Sequence, residues 1–81
     1  MHAEPLSVVV AEIWRNVLAV DTVGPDDDFI DLGGDSIAAV QIVEQVRRRL
    51  GVRLAVDAVL DKPTVSQFAA LIDEQLQGND V

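Results

Sequence analysis

The chain has 81 residues, of which 49% are hydrophobic and 4% aromatic, and it has no cysteine. That composition describes one domain with an aliphatic core and excludes a disulfide framework, a thiolate metal site and a catalytic thiol. Fourteen acidic residues against six basic ones give a net charge of −8, a surface that repels nucleic-acid phosphates and anionic lipid and attracts basic patches on partner proteins.

Read from the N-terminus, "MHAEPLS" lacks the basic flank and long apolar stretch of a signal peptide, and no apolar run approaches membrane-spanning length. The expectation is a cytoplasmic monomer with a tail over residues 1–5. "LSVVVAEIWRNVL" then places Leu6, Val10, Ile13 and Val17 on one stripe, which predicts a helix from Leu6 to Leu18 with Trp14 packing at the stripe's edge. "AVDTVGPDDDFIDLGGD" follows, carrying Gly24-Pro25 and Gly33-Gly34, and reads as a long connection. Loops of that length in compact domains are usually functional or disordered, and Phe29, Ile30 and Leu32 are expected to anchor this one to the core, which argues for order.

A second helix is predicted from Ser36 to Leu50. It ends at Gly51 with three arginines in its last turn, which suits the helix dipole. Its core stripe reads as Ala39, Ile42, Val43, Val46 and Leu50; Ile37 lies nearly opposite and Val40 at the margin. "VRLAVDAVLD" supports only a single helical turn near Asp57 to Asp61. In "PTVSQFAALIDEQL", Thr64 and Gln67 suit a reciprocal cap, and Val65, Phe68, Ala69, Ile72 and Leu76 form the stripe of a last helix. The body is expected to span residues 6–77, with a tail over 78–81. The class is all-α, a four-helix bundle with a short third helix and a long first loop.

Charge concentrates where the first loop meets the second helix. Between Asp21 and Asp35 there are six acidic residues and no basic one, and Ser36 follows directly. Such a serine could be a helix cap, as could Asp35. A triad nucleophile needs a base, but the only histidine is His2, in the N-terminal tail, and "GGDSIA" is not a nucleophile elbow. A phosphate-binding loop lacks its lysine and glycine spacing, and "DDDFID" lacks the spacing of a calcium loop. Attachment of a group to the hydroxyl remains alongside the cap.

"DDDFIDLGGDSIAAVQIVEQVRRRLGVRL" resembles the phosphopantetheine-attachment region of carrier proteins, particularly the peptidyl carrier (thiolation) domains of nonribosomal peptide synthetases. "AEIWRNVL" and "KPTVSQFAALI" extend the resemblance over nearly the whole chain. It implies that Ser36 receives 4′-phosphopantetheine from coenzyme A through a phosphopantetheinyl transferase, and that the arm's thiol carries an amino-acid or acyl group as a thioester. Gly34 and Asp35 would then serve the attachment site, with Gly33 and Gly34 free to adopt positive φ, and Ile37, Val40 and Leu32 would face partners. Those partners would be the transferase, an adenylation enzyme or domain, and condensation or tailoring enzymes, with the chain itself non-catalytic. Leu60 stands where many relatives have Phe ahead of the "PT" element. The alternatives are a polyketide-type acyl carrier, an unmodified helical interaction module, and an acidic metal-binding protein.

Overall fold

The computed structural model describes residues 5–78. Four helices follow in order: α1 (Leu6–Leu18), α2 (Ser36–Leu50), α3 (Asp57–Asp61) and α4 (Val65–Gly78). α1 packs on both α2 and α4, and α3 packs on α2. The all-α expectation holds, and three helix starts and stops follow from local chemistry. α2 begins where the Asp35 carboxylate accepts the Ala38 N–H at 2.9 Å, and it ends where Gly51 adopts φ +72° and donates to the Arg47 carbonyl. At α4, Thr64 Oγ1 accepts the Gln67 N–H at 3.2 Å while Gln67 Oε1 accepts the Thr64 N–H at 3.4 Å, the reciprocal cap expected from the sequence. α4 runs on through Gly78, one residue past the expected end of the body. α1 closes on Ala19, a non-glycine residue at φ +57°.

The core departs from the sequence stripes in ways that geometry explains. In α1 the buried residues are Val9, Val10, Ile13 and Trp14, while Leu6 and Val17 are only partly covered. α1 faces two helices at once, so its buried arc is wide, and Leu6 and Val17 lie near the helix ends. Trp14 is central to the core. Its ring lies 5.5 Å from Phe29, edge to face, and 6.0 Å from Phe68, geometries that add to the burial of apolar area. In α2 the buried set is Ala38, Ala39, Ile42 and Val46. Val43 and Leu50 are half-buried, so the inward face is turned by roughly 40°, at 100° per residue, from the expected stripe. That rotation carries Val40 from the margin of the core into solvent. In α4, Val65, Phe68, Ala69 and Ile72 are buried as expected, and Leu76 is exposed.

Ion pairs decorate the outside. Glu44 takes Arg47 at 2.6 Å and Arg48 at 3.1 Å within α2, and Arg49 reaches across to Glu12 of α1 at 3.2 Å. The Arg47 contact, first of all, holds the Glu44 carboxyl below its ordinary pKa and raises that of Arg47. All three pairs are solvent-exposed, so each contributes little to stability. No helix among the described residues is long and apolar enough to cross a membrane.

Candidate functional site: the serine turn at the head of α2

The turn that leads into Ser36 is built by its own acidic residues. Asp27 Oδ2 accepts the Gly24 N–H at 2.7 Å, and Asp28 Oδ1 accepts the N–H groups of Ile30 at 2.8 Å and Asp31 at 3.4 Å. Asp28 thereby caps one isolated turn of helix, Phe29 to Leu32. That turn ends in two specific bonds, Gly34 N–H to the Phe29 carbonyl at 2.9 Å and Gly33 N–H to the Ile30 carbonyl at 3.0 Å. The pairing is that of a Schellman termination, which places its left-handed residue at Gly33, and Gly33 indeed has φ +96°. With Asp35 capping α2, three carboxylates of the acidic run are engaged by backbone amides, which accounts for much of the charge without a ligand. Among the described residues no group of three metal-ligating side chains comes together.

The two glycines serve different ends. Gly33 supplies positive φ, whereas Gly34 has no positive φ and is needed for room. A Cβ there would strike Cζ, Cε1 and Cε2 of Phe29, well inside the 3.0 Å that real Cβ atoms keep. Phe29 is itself fully buried, and its N–H donates to the Pro63 carbonyl at 2.7 Å. Ser66 N–H donates to the Pro25 carbonyl, and Asp28 pairs with Thr64 in an isolated antiparallel bridge. The long loop is thus strapped to the entrance of α4.

The structure separates the residues that the sequence grouped together. Asp35 is the cap, which leaves Ser36 as the first helical residue; the serine is exposed, and no hydrogen bond among the described residues uses its Oγ. Ile37 is 70% exposed and Val40 52%, so both stand beside the serine largely uncovered by the described residues. Leu32 is half-buried against the core. Ile30, expected to anchor the loop, is 55% exposed instead. In a single helical turn Phe29 and Leu32 share the inward side and Ile30 points away, which corrects that expectation. Leu60 on α3 is also exposed. Sequence reasoning passed over Ile30 and Leu60 as exposed apolar side chains; the signal for Ile30 was the i, i+3 spacing of Phe29 and Leu32. His2 lies outside the described residues.

Residues 8–72 match the family model described as "Phosphopantetheine attachment site". Tyrocidine synthase 3 of Brevibacillus parabrevis is 46% identical over 63 residues, which are 78% of this chain and 1% of that protein. The synthetases matched are far longer, the chain spanning 1–3% of their length. Among solved structures, BlmI, a type-II acyl-carrier-protein from Streptomyces verticillus involved in bleomycin biosynthesis, superposes with a TM-score of 0.84 at 34% identity. The match covers 88% of this chain and 86% of BlmI. A chain in the structure of the phosphopantetheine transferase Sfp with coenzyme A and a peptidyl carrier protein gives 0.82 at 29% identity, covering 89% and 94% of the two.

The residues present fit such a group. A free, exposed hydroxyl at the first position of α2 sits where unpaired first-turn N–H groups and the helix dipole favour a phosphate. An exposed turn also leaves room for a long substituent. Family model, synthetase relatives and fold agree: the chain belongs to the phosphopantetheine-attachment family, as a carrier domain of the peptidyl type that bears its prosthetic group covalently.

Proposed function

We propose that Ser36 is the attachment point and that the chain, itself non-catalytic, holds an amino-acid or acyl group for nonribosomal peptide or related natural-product synthesis. One observation carries this reading: an exposed serine with an unengaged hydroxyl, on a turn fixed from both sides, next to bare Ile37 and Val40. The bound group supplies a thiol at the end of a flexible arm, and that thiol holds the cargo. The protein's own residues do the rest. Asp28, Gly33 and Asp35 hold the turn in one conformation; Ile37 and Val40, with the half-buried Leu32 behind them, offer apolar area to an incoming enzyme.

The transferase complex of a similar carrier supports a phosphopantetheinyl transferase as first partner. Relatives inside synthetases support an adenylation enzyme or domain and condensation or tailoring enzymes as later ones. The carrier body runs from Leu6 to Gly78 and works in the cytoplasm as a monomer. The test is direct. Incubation with coenzyme A and a promiscuous transferase should add one phosphopantetheine by mass, and Ser36→Ala should abolish it with helical circular dichroism unchanged. Modification that persists in Ser36→Ala would overturn the assignment.

A further inference from the structure

Ser36 makes no side-chain bond among the described residues, so its place relative to the core is set by the backbone on either side of it: α2 after it, which buries Ala38 and Ala39, and the turn before it. On the turn side, beyond the half-buried Leu32, the tightest approach to the core is at Gly34. The tip of the Phe29 ring lies against the Cα of Gly34, two residues before the serine, and closely enough that no side chain fits between them. Phe29 is held from three other directions. Its N–H binds the Pro63 carbonyl, its carbonyl binds the Gly34 N–H, and its ring packs edge to face on Trp14. Phe29 is therefore the link between the rigid interior and the serine turn.

We propose that Phe29 is a positioning residue for phosphopantetheine transfer, its ring acting as the stop against which Gly34 seats so that Ser36 meets the transferase at a fixed place. The inference rests on Ser36 being the attachment point. In the transfer the Ser36 Oγ–phosphorus bond forms as the phosphorus–oxygen bond to adenosine 3′,5′-bisphosphate breaks, and the hydroxyl proton leaves to the transferase or solvent. Such a displacement needs the attacking oxygen in line, and misplacement by about 1 Å can cost on the order of a hundredfold in rate. A Cβ at position 34 must push the turn off the ring or the ring into the core. The docking face at Ile37 and Val40 would stay as it is, so the loss should fall on kcat and leave KM nearly unchanged.

The size of the contact supplies its own control. The three atoms that a Cβ on Gly34 would strike, Cζ, Cε1 and Cε2, are atoms that leucine lacks. The experiment compares wild type, Gly34→Ala, Phe29→Leu and the double variant Phe29→Leu/Gly34→Ala, each below its melting temperature. Transfer from coenzyme A is followed by mass, and the Asp35 and Ser36 amide resonances report the turn independently of any enzyme. Gly34→Ala is expected to lose about ten- to a hundredfold in kcat with KM within about twofold, and to shift both amides. The double variant should return the amides toward their wild-type positions and recover to within about threefold of Phe29→Leu. If Gly34→Ala does not fold, the double variant still should, and should load. The proposal is overturned if Phe29→Leu or Gly34→Ala keeps its wild-type kcat, if the loss lies wholly in KM, or if the double variant loads no better than Gly34→Ala. Failure of the attachment reading looks different, since wild type itself would then stay unmodified or Ser36→Ala would be modified.

Discussion

Asp35 has two separable jobs, and two substitutions divide them. Its carboxylate accepts the Ala38 N–H at 2.9 Å and caps α2, and its charge sits at the positive end of the helix beside the serine. Asp35→Asn keeps an oxygen that can accept the same bond and removes the charge. Asp35→Ala removes both. Loss of the charge–dipole attraction should cost about 0.3–1 kcal/mol at an exposed helix end. Loss of the cap adds a share of the 0.5–2 kcal/mol seen for capping residues replaced by alanine. For a domain of this size 1 kcal/mol moves the melting temperature by about 4–8 °C. Asparagine should therefore lower it by a few degrees, and alanine by roughly twice as much. The functional assay is transferase kcat/KM at several salt concentrations. If the carboxylate also meets basic residues on the transferase, Asp35→Asn should load more slowly at low salt, and the deficit should shrink as the Debye length falls below about 10 Å near 0.1 M. Equal loading of wild type and Asp35→Asn at every salt concentration would refute the second job and leave Asp35 a cap alone.

Ile37→Ala should leave stability within about 0.5 kcal/mol, because the side chain is largely in solvent. It should lower partner kcat/KM roughly five- to thirtyfold, about 1–2 kcal/mol; a large melting shift with normal loading would place Ile37 in the core instead. Val46→Asp buries an unpaired charge among Ala39, Ile42 and their neighbours and should unfold the domain, whereas half-buried Val43→Asp should stay folded and melt lower. Equal damage from both substitutions, measured by circular dichroism, would contradict the rotated face of α2. Glu44 has its pKa lowered in the fold, so its pairing stabilises above the ordinary carboxylate range and is lost as pH falls through the lowered value. The small melting difference between wild type and Glu44→Gln should accordingly vanish between about pH 6 and about pH 3, and a difference that grew on acidification would reverse the sign.

Helix boundaries were the most legible part of the sequence, because they rest on interactions within a few residues. Asp35, Gly51 and the Thr64–Gln67 pair announce their own caps, and α1, α2 and α3 keep the predicted limits. The rotation of α2 was not legible. A helical wheel gives the direction of the apolar centroid, whereas the buried face depends on where α1 and α3 press, and that face takes in Ala38 and leaves Val43 half-buried. Phe29 was expected in the core, but its seat under Gly34 joins residues through the fold of a loop, and no periodicity encodes it. Of the site, Ser36, Ile37 and Val40 emerged as exposed, while Leu32 turned partly inward.

The strap between the long loop and the entrance of α4 sets an order of assembly. The Phe29 N–H and the Pro25 carbonyl find their partners in residues 63 and 66, which leave a ribosome well after the serine has been made. A nascent chain that ends before Pro63 can form α2, yet the loop that carries Phe29 under its serine turn is not strapped down. Modification should then wait for synthesis of the last helix, so that only a finished domain is charged. A chain truncated ahead of Pro63 is expected to be a poor transferase substrate even where α2 remains helical, and ready loading of that fragment would show that the turn holds itself.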